Sequence, residues 1–342
     1  MITAPVRAIT LLGTGHAVPG QTVSSTMLDA RLGLPAGTVE QAGGVRQRHF
    51  ACRTETAAQL AVRAATQALA AAGLALDEVD CLVAASGTMD QAMPCNAALI
   101  YAELRASKLT TRQALPAFDV NASCLGFLAA LETLSWAVAA GRYRRVLIVA
   151  ADIASCGLDW QTLEASAIFG DGAAAAVIGP TSAGGSGRIL ASELQTLPEG
   201  AMLCQIPAGG SRHHPTRLPD DADFAALARF RMDGKGVFRL AAEHLPAFVA
   251  RLLAQAGLTV AEIDWVVPHQ ASHLALSHLG RRLGFSHGQI INIFADHGNQ
   301  IAASLPTALD IAIRDGRIRH GQRLLLLGTG AGLSLGGCIM VY

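Results

Sequence analysis

The chain is short of charge and of aromatic rings. Asp, Glu, Lys and Arg make up 15% of its 342 residues and Phe, Trp and Tyr only 5%, whereas 51% are hydrophobic. So little charge means that much of the chain is buried, in one large or two medium domains with a substantial core. Some of the remaining apolar surface is expected to lie against a second subunit. The 26 basic residues are balanced by 26 acidic ones, so the excess positive charge that a nucleic-acid partner calls for is missing. Seven cysteines, at 52, 81, 95, 124, 156, 204 and 338, form no CxxC pair and are odd in number. That excludes a disulfide framework and a zinc site, and it fits free thiols in a reducing compartment. There is no apolar run long enough to span a membrane. Met1 to Arg7 lacks the charged start and apolar stretch of a secretory leader. The sequence predicts a soluble cytoplasmic protein with no resident metal.

What is present is an alternation of short apolar strands with helices, the pattern of mainly parallel, buried sheets. Ile9 to Leu12 reads as a strand. It leads into Gly13-Thr-Gly15, which starts like a dinucleotide fingerprint, but Val18 replaces the third glycine and Pro19 follows. Thr56 to Ala72 predicts an alanine-rich amphipathic helix stopped by Gly73, and Cys81 to Ala85 a strand. Gly170-Asp-Gly172-Ala also resembles a phosphate loop, yet a short β-like run stopped by Gly179-Pro180 follows it, so it reads as a tight turn into a strand. Neither glycine motif supports a bound cofactor. Ser211 to Asp223 predicts a long surface loop, and Phe238 to Ala256 a further amphipathic helix closed by Gly257.

The chain also repeats itself. Leu69 to Val83 matches Leu253 to Val267 position by position, including Ala-Gly-Leu and an acidic pair before each strand. Gly141-Arg before Val146 to Val149 is echoed by Gly316-Arg before Leu324 to Leu327, and Gly170-Asp-Gly-Ala by Gly328-Thr-Gly-Ala331. These pairs occur once per half in the same order. The sequence therefore predicts two related α/β halves, residues 1–180 and 181–342, with a seam at 180–188.

Phe118 to Val120 reads as the end of a buried strand, and from Cys124 to Ala140 only Glu132 is charged. A helix apolar on nearly every side belongs in the middle of a core. Cys124 falls at the start of that helix, with Ser123 or Asn121 as a cap, where unpaired N–H groups and the helix dipole favour thiolate. Taken alone it reads as a small core residue. In the second half, His269 follows Pro268 at a strand end, and Asn299 follows Gly298 at the next junction. Singly, these read as a core histidine and a capping asparagine. The counterpart of the Cys124 junction is expected near Asn299 to Ala303, and a pseudo-twofold would bring the two helix starts together. Cys124, His269 and Asn299 are then expected to share one buried pocket.

Asn121-Ala-Ser-Cys124-Leu-Gly, Gly170-Asp-Gly172-Ala, Asp264-Trp-Val-Val-Pro-His269-Gln-Ala and His297-Gly-Asn299-Gln-Ile-Ala-Ala-Ser resemble the β-ketoacyl-acyl-carrier-protein synthase III family of the thiolase superfamily. The resemblance implies a homodimeric thiolase fold in five layers, α-β-α-β-α, with a Cys-His-Asn site. It implies that Cys124 takes an acyl group from a thioester, within an oxyanion hole made by the N–H groups of Cys124 and Gly332. His269 and Asn299 would then hydrogen-bond the carbonyl of a malonyl thioester as it loses carbon dioxide. Neutral donors suit that task, since a fixed carboxylate would repel the enolate. Arg239, Arg281 and Arg282 match a basic patch that receives acyl carrier protein, and Met93 stands where the family passes an aromatic residue into its partner's acyl pocket.

Other features depart from the family. Its coenzyme A-primed members carry Trp and Arg in W-x-x-x-R-T-G-I-R, and this chain has Thr38 and Ala42 there, keeping only Arg46. Alternatives remain at this stage: acyl transfer to an alcohol or amine with His269 as base, or Claisen condensation without decarboxylation. The latter needs a base, and residues 328–336 contain no cysteine while Met93 occupies the place of a pocket glutamate. Gly332-Leu-Ser334-Leu-Gly336 fits the hydrolase pattern GxSxG, but no histidine follows it.

Overall fold

The structure, a computed structural model, describes residues 5–111 and 114–342. Residues 1–4, part of the N-terminal stretch considered above, lie outside it. The chain runs through β1 (Ile9–Ala17) and a small pair of strands, β2 (Gln21–Ser24) and β3 (Gln47–Phe50), which enclose α1 (Ser25–Leu32) and α2 (Thr38–Gly43). Then come α3 (Ala57–Ala72), β4 (Cys81–Ala84), α4 (Asn96–Ala106), β5 (Ala117–Asp119), α5 (Gly126–Ala139), β6 (Val146–Asp152), the one-turn α6 (Leu163–Ser166) and β7 (Gly172–Pro180). The rest begins with β8 (Arg188–Thr196), β9 (Cys204–Gln205), the one-turn α7 (Phe224–Leu227), β10 (Arg231–Met232) and α8 (Gly234–Ala256). It ends with β11 (Trp265–Pro268), α9 (His273–Leu283), α10 (Phe294–His297), α11 (Ser304–Arg314), β12 (Arg323–Gly330) and β13 (Ser334–Val341).

Two sheets carry the fold. One has the order β1-β7-β6-β4-β5, the other β8-β13-β12-β11. β4 pairs in parallel with both β5 and β6, and β11 with β12; in each sheet two antiparallel neighbours follow. The internal sequence repeat has a mechanical meaning. Asp80 donates its N–H to Arg145 O at 2.9 Å and takes the N–H of Arg144 on its carboxylate; Asp264 does the same with Arg323 O, at 2.9 Å, and Arg323 N–H. Each aspartate thus sets the register of a parallel pair.

α3 and α4 cover the outer face of the first sheet, α8 and α9 that of the second, and α5 and α11 lie between the sheets, giving five layers. Leu125, Leu128, Leu131, Leu134, Leu305 and Leu309 form that middle seam, all nearly inaccessible. Each such leucine contributes roughly 1.5–3 kcal/mol through burial. α5 begins at Gly126, just after Cys124, and α11 at Ser304, just after Asn299, so both junctions adjoin this middle layer. Among the described residues, no helix is long and apolar enough to cross a membrane.

Three local expectations are revised. β5 is the open edge of its sheet and Phe118 is 38% exposed, so this strand is not buried; strand pairing decided that, not its composition. β1 continues through Gly13 and Gly15 to Ala17. A Cβ on Gly13 would sit 2.4 Å from Ala68 O, and one on Gly15 2.5 Å from Ala64 O, so these glycines let α3 lie directly on the strand. α8 starts at Gly234, capped by the Asp233 carboxylate, one turn earlier than its apolar pattern indicates.

Candidate active site

The Cys124 junction is a turn rather than a helix cap. Asn121 Oδ1 accepts the N–H of Ser123 at 2.9 Å, Ser123 sits at φ +50°, and α5 begins only at Gly126 with Leu125 as its cap residue. Neither Ser123 nor Asn121 caps the helix. Gly126 is needed for a close approach, since a Cβ there would be 2.2 Å from Ala85 O. The expected lowering of the thiol pKa is also overturned. Cys124 keeps intermediate exposure, yet burial pushes its thiol up to about 12, with the Asp152 carboxylate and then Cys204 adding to the rise. Desolvation opposes the thiolate more than the helix start favours it, because the cysteine lies before the first turn and not in it. A backbone N–H from Ala331 at the sulfur acts in the opposite direction.

His269 follows β11 and is fixed by its own N–H, which donates to Leu327 O at 2.8 Å. Its ring is 5% exposed, with Nδ1 2.6 Å from Ser304 Oγ. Burial pushes the imidazole down to about 4, so it is neutral at physiological pH. Asn299 is equally buried, and its backbone is clamped between Ile168 O (2.8 Å) and Gly170 N (3.1 Å). Its side-chain Oδ1 accepts the N–H of Ile301 at 2.8 Å, and its Nδ2 donates to Ala271 O at 3.3 Å. The Gly-Asp-Gly and His-Gly-Asn motifs are two sides of this crossing. A Cβ on Gly170 would be 2.2 Å from His297 O, and Gly298 has φ +67° with Ile168 O 2.8 Å from where its Cβ would be.

The three junctions converge. A Cβ on Gly328 would touch Leu125 Cδ2 at 2.9 Å and His269 Cβ at 3.0 Å, so the residue after Cys124 and His269 flank one glycine. Gly87 is wedged between Ile301 and Ser123, and Asn299 reaches the segment that follows His269. Gly332, at φ +141°, adjoins Ala331 in the turn that brings an N–H to Cys124. Met93 is 83% exposed on the loop before α4. Arg239 on α8 and Arg281 and Arg282 on α9 are exposed and stand apart from this cluster. Arg282 donates to Ala242 O, and Arg281 lines a surface groove of about 340 Å³ with Ser277, Gly280, Phe285 and His287.

Two residues of the site were not anticipated. Ser304 partners His269, and it stands at the end of the His297 motif. Asp152 ends β6 fully buried; it accepts the N–H groups of Gly87 (2.8 Å) and Thr88 (2.7 Å), the Thr88 hydroxyl (2.9 Å) and the N–H of Ala302 (3.1 Å). It ties the pocket loop to the Asn299 turn, and burial pushes its carboxyl up to about 6. An acid closing an otherwise apolar strand was the signal.

The profile of 3-oxoacyl-[acyl-carrier-protein] synthase III matches residues 118–198, and its C-terminal profile matches residues 253–342. Beta-ketoacyl-[acyl-carrier-protein] synthase III of Neisseria meningitidis is 34% identical over 96% of this chain and 98% of its own length. Synthase III 3 of Streptomyces coelicolor is 35% identical over 98% of both chains. The crystal structure of the Pseudomonas aeruginosa enzyme superposes with a TM-score of 0.85 at 33% identity, covering 98% of each chain. An OleA variant of Xanthomonas campestris, 20% identical with a TM-score of 0.83 over 98% of this chain and 99% of its own, shares the fold. With near-complete coverage at a third identity, and both family profiles in order, this chain belongs to the 3-oxoacyl-[acyl-carrier-protein] synthase III family of acyltransferases.

Proposed function

We propose that Cys124 takes an acyl group from a thioester and that the acyl-enzyme is then condensed with a malonyl thioester, with loss of carbon dioxide. The observation that carries this reading is the pairing of a half-buried cysteine with two buried, neutral side chains, His269 and Asn299, held at converging junctions. In the first half-reaction Cys124 Sγ bonds to the acyl carbon, its proton leaves with the departing thiol, and N–H groups of Cys124 and Gly332 hold the oxyanion. In the second, the malonyl C–C bond breaks to release CO₂. Its electron pair passes through an enolate, stabilised by N–H donors of His269 and Asn299, to the acyl carbon, and Cys124 departs. Residues 1–180 thus supply the nucleophile and 181–342 the donors.

The family suggests acyl carrier protein as donor. Arg239, Arg281 and Arg282 supply an exposed basic rim for it, and Thr38 and Ala42 offer no grip on a coenzyme A nucleotide. Arg46 is engaged by both oxygens of Asp296, at 2.6 and 2.7 Å. A homodimer is supported by the open β5 edge, next to exposed Met89 and Met93. The seven free cysteines suit the cytoplasm. The pathway is fatty-acid synthesis or a specialised, polyketide-like one. One observation is compatible with a second reading, acyl transfer to an alcohol or amine: His269 is neutral, so it can act as base towards the acceptor.

The half-reactions separate these readings. His269→Ala and Asn299→Ala should still acylate Cys124, seen by intact-protein mass, while CO₂ release from a malonyl thioester falls by ~10²–10³. Lost acylation with undiminished CO₂ release would instead make His269 the base.

A further inference from the structure

A neutral imidazole carries one ring proton, and its position decides what His269 can do. On Nε2 it can be donated to a substrate carbonyl. On Nδ1 it leaves Nε2 as a lone pair, repelling that oxygen and serving only as a base. The choice belongs to the partner of Nδ1, which is Ser304 Oγ at 2.6 Å, in a fully buried position.

Ser304 Oγ has one proton and two acceptors within reach, His269 Nδ1 and Ile301 O at 2.9 Å. Ile301 O already accepts the backbone N–H of Ser304, which closes the short turn Ile301–Ala303. An imidazole nitrogen is a far stronger base than a peptide carbonyl, and the shorter of the two distances is the one to Nδ1. Both points direct the hydroxyl proton to the ring. The same turn acts on the second donor: the Ile301 N–H occupies Asn299 Oδ1, so the amide presents its NH₂ group.

We propose that Ser304 is a positioning residue that donates its hydroxyl proton to His269 Nδ1 and so fixes the Nε2–H tautomer, making His269 a hydrogen-bond donor and not a base. This rests on the decarboxylative reading above. Asn299 and His269 are then oriented by one short segment, Ile301 to Ser304.

The test uses full-length protein, Ser304→Ala and Ser304→Thr, with three readouts: acylation of Cys124 by mass, CO₂ release from a malonyl thioester, and NMR of nitrogen-labelled histidine. Loss of one such hydrogen bond should slow CO₂ release by about tenfold in Ser304→Ala and leave acylation within about twofold. The native His269 signals should show a single Nε2–H tautomer, which becomes mixed in Ser304→Ala, and Ser304→Thr should restore both rate and spectrum. A native Nδ1–H tautomer, or Ser304→Ala slowing both half-reactions alike with the tautomer unchanged, overturns the proposal. If the native protein releases no CO₂, the decarboxylative reading fails by itself, and the tautomer spectra still decide the role of Ser304.

Discussion

Ser123 and Ile301 occupy the same place in two copies of one turn. Their φ angles are +50° and +53°, and each donates its N–H to the Oδ1 of the asparagine two residues before it, Asn121 and Asn299, at 2.9 and 2.8 Å. In this register Cys124 matches Ala302, and Gly126 matches Ser304. Cys124 and Asn299 thus sit in two turns of the same geometry. Non-glycine residues in this region are strained by about 1–2 kcal/mol, and such strain persists only where the surroundings hold it.

Gly87 is what holds the two turns against each other. A Cβ there would lie 2.5 Å from Ile301 Cγ2 and 3.3 Å from Ser123 C. Gly87→Ala should therefore displace Asn299 and Cys124 together, lowering acylation and CO₂ release by tenfold or more, on the order of one misplaced contact. Loss of one half-reaction alone in this variant, read by the two assays, would show that the turns are not coupled.

Burial gives an ordering of thiol reactivity that differs from what the helix start suggests. The Cys124 thiol is pushed up to about 12, whereas that of exposed Cys52 is lowered by the Thr54 hydroxyl and nearby backbone N–H groups. Near neutral pH, iodoacetamide should modify Cys52 before Cys124, as mapped by peptide mass, and Cys124 alkylation should keep rising with pH beyond the range of an ordinary thiol. Rapid, selective alkylation of Cys124 at neutral pH would mean that the helix start outweighs desolvation after all.

Which parts of this were legible in sequence follows from what is local. The repeat at Leu69 and Leu253, the strand ends before His269 and the turn at Asn299 are encoded within a few residues, and the structure brings all three junctions together. The edge position of β5 depends on which strand pairs with which, and Phe118 reads as core because it is apolar. The direction of the Cys124 shift depends on enclosure by distant segments, among them the Ala331 turn and Asp152. Ser304 and Asp152 matter through contacts distant in sequence, to a histidine thirty-five residues away and to a loop sixty-five away.

Asp152 gives a pH signature. Its carboxyl is raised from 3.8 to about 6 by burial, so the folded protein binds this proton more tightly than the unfolded chain. The sign follows: between about pH 6 and 3.8 the native state is protonated there and the unfolded state is not, so this group adds stability as pH falls through that window. Subtracting the melting temperatures of Asp152→Asn from those of the native protein should give a difference that grows in favour of the native protein from neutral pH towards 4. Ionised Asp152 holds Thr88 and Ala302, so activity should instead fall as it is protonated. A difference curve that is flat across the window would place the carboxyl near its ordinary value.

The nature of the acyl donor is open to a direct comparison. A coenzyme A nucleotide needs a stacking ring and a cation for its phosphates; Thr38 and Ala42 provide neither, and Arg46 is paired with Asp296. An acyl carrier protein presents an acidic surface and a flexible arm, which suit the exposed Arg239, Arg281 and Arg282. Exposed charges of this kind act mainly on the association rate and are screened by salt over about 10 Å at moderate ionic strength. Carrier-protein thioesters should thus outcompete coenzyme A thioesters of the same acyl group, measured as kcat/KM, with the advantage shrinking as salt is added. Arg281→Glu should reduce carrier-dependent turnover and leave acylation by a small pantetheine thioester nearly unchanged. A preference for coenzyme A that ignores both salt and Arg281 would mean that residues other than Thr38 and Ala42 grip the nucleotide, and that the basic rim serves another purpose.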